Sequence, residues 1–74
     1  MKPWLESLLL PRKCKAEKVA ALAEWLEEEG FLTLEELVTA FEEDPSIDAQ
    51  IKEKCQELGL GVGHVRALIK AIST

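Results

Sequence analysis

LGLGVGHVRALIKAI, residues 58 to 72, is the stretch on which the fold of this chain turns. Glycines stand at 59, 61 and 63, and an apolar stripe of Val62, Val65, Leu68, Ile69 and Ile72 follows at helical spacing. Gly59 is placed to stop a preceding helix, because glycine takes the left-handed conformation that ends helices. Gly61 and Gly63 let the chain turn tightly and let a partner approach the first N–H groups of the next helix, which have no partner of their own. His64, Arg66 and Lys70 are the polar groups left off the stripe. An anion of any kind, a phosphate or an acidic side chain, would satisfy such a helix start.

Working outward, four more helices come before it. Asp44 as cap and Pro45 at the first helical position open the fourth, along which Ile47, Ile51, Cys55 and Leu58 share a face. Thr33 and Glu36 form a capping box for the third, striped by Leu34, Leu37, Val38 and Phe41, with Phe31 packing inward just ahead. The second runs from about residue 15 to 29 on Val19, Leu22, Ala23 and Leu26, with Gly30 as its cap and Trp25 off the main stripe. Glu27, Glu28 and Glu29 sit at its C-terminal end, where the helix dipole disfavours acids. The first spans Pro3 to Leu9 with Trp4, Leu5, Leu8 and Leu9 on one stripe, and Pro11 closes it. Val, Ile and Thr never alternate as a strand requires, so the expected fold is all-α, a compact five-helix bundle in a single domain over residues 1–74.

The bulk properties agree. Seventy-four residues make one small domain, and a 47% hydrophobic content supplies a packed core. The abrupt ends suggest a domain of a longer protein. MKPWLESLLL carries Glu6 and is too short for a signal peptide, and no apolar run approaches the ~20 residues of a membrane span, so no membrane insertion is expected. Two cysteines, Cys14 and Cys55, in a Lys/Glu-rich helical chain point to reduced thiols and an intracellular setting, with Cys55 acting as a buried small hydrophobe. Net charge is −5, unevenly spread. Residues 1–20 carry five cations against two acids, residues 21–57 twelve acids against Lys52 and Lys54, and residues 58–74 only Arg66 and Lys70. The ends are therefore basic and the middle is strongly acidic, a molecule with two unlike poles.

Catalytic chemistry is missing. Catalysis needs convergent groups of matched pKa. His64 is the sole histidine, placed where a cap or a packed ring is the ordinary role, and Ser7, Ser46 and Ser73 have no evident His and acid partners. EEDPSIDAQIKE fails as a calcium loop, since Ile47, Ala49 and Gln50 stand where oxygen ligands or the central glycine belong. With neither a phosphate-binding loop nor a Cys/His cluster, the expectation is no enzyme activity, no cofactor and no metal.

The opening stretch resembles two families. Gly61, Val62 and Gly63 resemble the G-h-G turn of the helix-hairpin-helix motif of DNA-binding proteins, with Ala67 where that family often has a small residue. Nucleic-acid binding (DNA, or an RNA hairpin) through this start is the alternative reading, disfavoured by the −10 charge of the middle segment, which would repel a duplex. The broader resemblance is to the sterile alpha motif (SAM) domain. Leu58-Gly59-Leu60 followed by Gly63, His64, Leu68, Ile69 and Ile72 looks like that family's ending. WLESLLL looks like its first helix, and WLEEEGFLTLEELVTAFEED like its second-helix end, turn and third helix. The linker before Gly63 is one residue short, Val65 replaces a usual basic residue with Arg66 following, and the segment from Pro11 to Leu26 is long.

The resemblance implies a protein-interaction module that associates head to tail with itself or another SAM domain. It would use a basic surface at the start of the last helix and an acidic middle surface. The basic surface is expected at Gly63, His64, Arg66 and Lys70, and the acidic one at Glu42, Glu43, Asp44 and Asp48. Val62 could add an apolar anchor if exposed, while Val65 is read as core.

Overall fold

The computed structural model describes residues 1–73. Among them the chain forms five α-helices, α1 Lys2–Leu9, α2 Ala16–Glu28, α3 Leu34–Glu43, α4 Ser46–Leu58 and α5 Val62–Ser73, plus a 3₁₀ turn over Leu10–Arg12. The expected all-α five-helix bundle is what the chain adopts. α5 packs against α1, α3 and α4, α1 and α2 pack together, and α4 also meets α2 and α3. The Cα radius of gyration is 11.0 Å, matching the value of about 11 Å for a compact chain of this length.

Helix ends follow their local chemistry. The N–H of Glu36 donates to Thr33 Oγ1 at 3.2 Å, while Glu36 Oε2 accepts from the Leu32 N–H at 3.0 Å. The capping box thus forms, with its return bond one residue earlier than the motif's usual Thr33 N–H. Asp44 Oδ1 accepts from the Ser46 N–H at 3.0 Å and from Ser46 Oγ at 2.7 Å, opening α4. Both bonds stabilise the ionised carboxylate and hold Asp44 below the ordinary carboxyl range. Gly30 (φ 95°) and Gly59 (φ 79°) end α2 and α4 in the left-handed region. After Gly59, the Leu60 N–H closes on the Cys55 carbonyl at 2.9 Å, the wide bond of a Schellman ending.

The core comprises Leu5, Leu9, Cys14, Val19, Leu22, Ala23, Leu26, Leu37, Ile51, Cys55, Leu60, Leu68 and Ile72. Every stripe residue of α2 is buried, whereas on α3 only Leu37 is, and Leu34, Val38 and Phe41 are half-covered. Phe31, Trp4 and Trp25 pack against the core from its edge. Both cysteines are free and buried. Desolvation, reinforced by the neighbouring Cys14 thiol, pushes the Cys55 thiol up to about 11, so it behaves as the small hydrophobe the sequence predicts.

One feature differs from expectation, and one that the sequence left open is decided. Pro11 does not simply end the first segment. It sits inside the 3₁₀ turn, after which Lys13 adopts φ 64°, left-handed for a residue with a Cβ. Val62 lies on the helical period of the α5 stripe yet is 71% exposed, because it is the first residue of α5 and no neighbouring element covers it.

Candidate functional site

The start of α5 is built by three braces. Lys18 Nζ, from α2, donates to the Gly59 carbonyl at 2.7 Å, joining residues 41 apart and neutralising the negative end of α4. Leu60 is buried and anchors the turn in the core. His64 Nε2 lies 2.7 Å from the Arg12 carbonyl, 52 residues away in sequence. A carbonyl only accepts, so Nε2 carries a proton, while Nδ1 is buried with no hydrogen-bond partner among the described residues. His64 is therefore a packed ring tying α5 to the 3₁₀ turn. Its donor is engaged there and is withheld from a partner.

The glycines divide. Gly59 needs its left-handed φ, and a Cβ there would lie 3.3 Å from Lys18 Nζ. Gly61 and Gly63 have ordinary φ, and a Cβ on Gly63 would meet nothing within 4 Å. The turn does not require glycine at 61 or 63, contrary to the expectation from sequence. What the small size of Gly63 does is leave the α5 start open to approach, while a Cβ on Gly61 would lie 3.5 Å from His64 Nδ1.

Beside that start runs a groove of about 560 Å³ between α4 and α5. Ala49, Lys52, Glu53 and Gln56 form the α4 wall, and Leu60, Val62, Val65 and Arg66 the other. Val65 is half-buried in this wall, partly core and partly groove. Sequence reasoning missed the α4 wall, although positions 49, 52, 53 and 56 recur on one helical face. Arg66 is exposed and makes no hydrogen bond or ion pair among the described residues, and Gly63 is likewise exposed. Lys70 follows Arg66 by one turn on the same side. Of the four basic-surface residues, Gly63, Arg66 and Lys70 therefore face outward and His64 turns inward.

The acidic residues also separate. Glu42 and Glu43 are exposed at the end of α3, without hydrogen bonds or ion pairs among the described residues. Asp44 is occupied as the α4 cap. Asp48 pairs with Lys52 at 3.0 Å within α4, which mutes both charges. The richer acidic surface is the outer side of α3, where Thr33, Glu35, Glu36, Thr39, Ala40 and Glu43 line a hollow of about 590 Å³. Leu32, just before α3, is 61% exposed.

Among the described residues no helix is long and apolar enough to cross a membrane. Among the described residues no group of three His, Cys, Asp or Glu side chains could hold a metal ion. No family model, curated protein or solved structure matches this chain.

Proposed function

We propose that this chain is a protein-interaction module of the SAM type, joining two unlike surfaces head to tail. One observation carries the reading. The two large aliphatic side chains more than half exposed among the described residues are Val62 and Leu32, and they sit beside opposite charges. Val62 heads α5, which contains Arg66 and Lys70 and no acid, while Leu32 precedes α3, which contains Glu35, Glu36, Glu42 and Glu43 and no cation. Exposed apolar anchors supply affinity and complementary charge sets orientation and encounter rate. Because the surfaces differ, the contact is heterologous and extends into open assemblies unless its rotation closes. The order of five helices, with the last opening on glycine and histidine, supports the SAM reading.

Sedimentation velocity over a wide concentration range, at low and high salt, tests the function. Arg66→Glu should weaken association about three- to tenfold at low salt while leaving the fold intact, since the side chain is exposed. Association equal to the parent's would refute the charge-guided surface.

A second reading has one observation in its favour. The His64–Arg12 contact brings the turn that carries Arg12 and Lys13 to the α5 start, although the Arg12 guanidinium itself donates to the Leu8 carbonyl at 2.8 Å. Binding of RNA hairpins or duplex DNA there would be electrostatic and would collapse as salt rises. Gel shifts at low salt with both probes decide this, and no shift with either removes it.

A further inference from the structure

We propose that the turn between α1 and α2 docks on the surface of an anionic bilayer, with Leu10 entering it and Arg12, Lys13 and Lys15 on its headgroups. The proposal does not depend on the protein-interaction reading above. Leu9 and Cys14 are buried, and the four residues between them, Leu10, Pro11, Arg12 and Lys13, are all exposed. Lys15 follows and is exposed too. Residues 7–16 contain three cations and no acid, in a chain whose net charge is −5.

The turn is fixed before any contact. The Lys13 N–H donates to the Leu10 carbonyl at 3.0 Å, the Cys14 N–H to the Leu9 carbonyl at 3.3 Å, and the His64 ring to the Arg12 carbonyl at 2.7 Å. Arg12 Nη1 donates to the Leu8 carbonyl at 2.8 Å, which leaves the guanidinium its charge and its other N–H groups. Lys13, at φ 64°, is the one non-glycine residue of positive φ among the described residues. Glycine adopts that conformation more readily, so backbone preference does not account for a lysine there. An anionic surface gives it a role.

Leu10 decides between anionic partners. It is 39% exposed beside a proline, and the turn has no aromatic or amide side chain to stack on a base or read it. A phosphodiester chain leaves an aliphatic side chain idle, whereas a bilayer takes it into the boundary between headgroups and acyl chains. The contact lies on the membrane surface and needs no spanning helix. Each cation near an anionic bilayer raises binding about fivefold, so three favour acidic over neutral lipid by about a hundredfold.

Vesicle sedimentation tests this, with phosphatidylcholine vesicles that contain or lack phosphatidylserine and the fold of each variant checked by circular dichroism. The parent should bind the phosphatidylserine vesicles about a hundredfold more tightly and release them at high salt. Lys13→Gln should weaken binding about fivefold. Leu10→Gln should weaken it about three- to sevenfold, from the exposed share of a leucine side chain. Lys13→Gly should lose the same fivefold while Tm holds or rises, because glycine relieves the left-handed conformation, and so separates binding from folding. Lys52→Gln removes a cation on α4 that Asp48 already pairs, and should bind as the parent does. Equal binding to both kinds of vesicle overturns the proposal. So does a loss in Lys52→Gln that matches the loss in Lys13→Gln, since net charge would then be the cause. A Leu10→Gln variant that binds like the parent, or duplex DNA bound more tightly than the vesicles, overturns the bilayer as partner.

Discussion

Replacing Lys18 by methionine tests whether the α5 start is held from a distance. The ammonium donates to the Gly59 carbonyl at 2.7 Å, bridging α2 to the end of α4. A hydrogen bond from a charged donor contributes about 1.5–3 kcal/mol, and a cation at a helix C-terminus adds about 0.3–1 kcal/mol. Lys18 is only half-buried, so solvent screening reduces their sum to about 1–2 kcal/mol. Methionine keeps most of the aliphatic stem, so packing loss is small. For a domain of this size Tm should fall by about 4–16 °C. Urea unfolding should show a lower midpoint with an unchanged slope, because the surface exposed on unfolding is the same. Added salt should narrow the gap between variant and parent. A Tm change below about 1 °C would refute the brace, as would a changed urea slope, which would mean that the substitution alters compactness instead.

Three further outcomes follow from named contacts. The Cys55 thiol, ordinarily near 9.0, is raised to about 11, so the folded state holds its proton longer than the unfolded chain. The stability this contributes is full below pH 9 and declines as pH rises towards 11, and Cys55→Ala should flatten that part of a stability–pH curve. Asp44 shows the opposite sign. Its carboxyl is held below the ordinary 3.8 by Ser46, so its contribution is present above that pH and fades as pH falls through the lowered value. Asp44→Ala should lower Tm at neutral pH and converge with the parent in acid, while Asp44→Asn retains the cap. Gly63→Ala should leave the fold unharmed or slightly more stable, since its φ is ordinary and the new methyl meets nothing, yet weaken association by crowding the approach to α5. Thermal melts paired with sedimentation separate the two effects.

Legibility in the sequence followed the range of the interaction. Val19, Leu22, Ala23 and Leu26 are all buried as their spacing predicts, because α2 lies against both α1 and α4. The caps at Thr33, Asp44, Gly30 and Gly59 were readable because their bonds close within a few residues. α3 was readable as a helix but not as a peripheral one. Its stripe is as apolar as that of α2, and only its place at the bundle edge leaves Leu34, Val38 and Phe41 half-covered. Periodicity left Val62 open between core and exposed anchor for the same reason, since an apolar stripe along a helix does not say whether its first turn has a neighbour. The Lys18–Gly59 and His64–Arg12 bonds span 41 and 52 residues and left no local sign. The pairing that mutes Asp48, by contrast, does show locally, in its i, i+4 spacing to Lys52.

These long-range bonds change what the glycine-rich turn does. A flexible G-x-G-x-G segment would expose helix N–H groups on a mobile loop, and ordering it would oppose any binding. Here the segment is fixed at both ends, by Lys18 and the buried Leu60 before it and by His64 after it. Only Gly59 uses a backbone conformation that other residues resist. Gly63 contributes by what it lacks, since a side chain there would project into open space beside Val62, whereas a Cβ on Gly61 would rest against the His64 ring. The turn is therefore a rigid mount that presents one valine, the groove beside it and two cations on the following helix. A phosphate site would draw on the N–H groups and leave the valine and the groove without a role. A protein surface with an acidic rim and an aliphatic knob uses all of them.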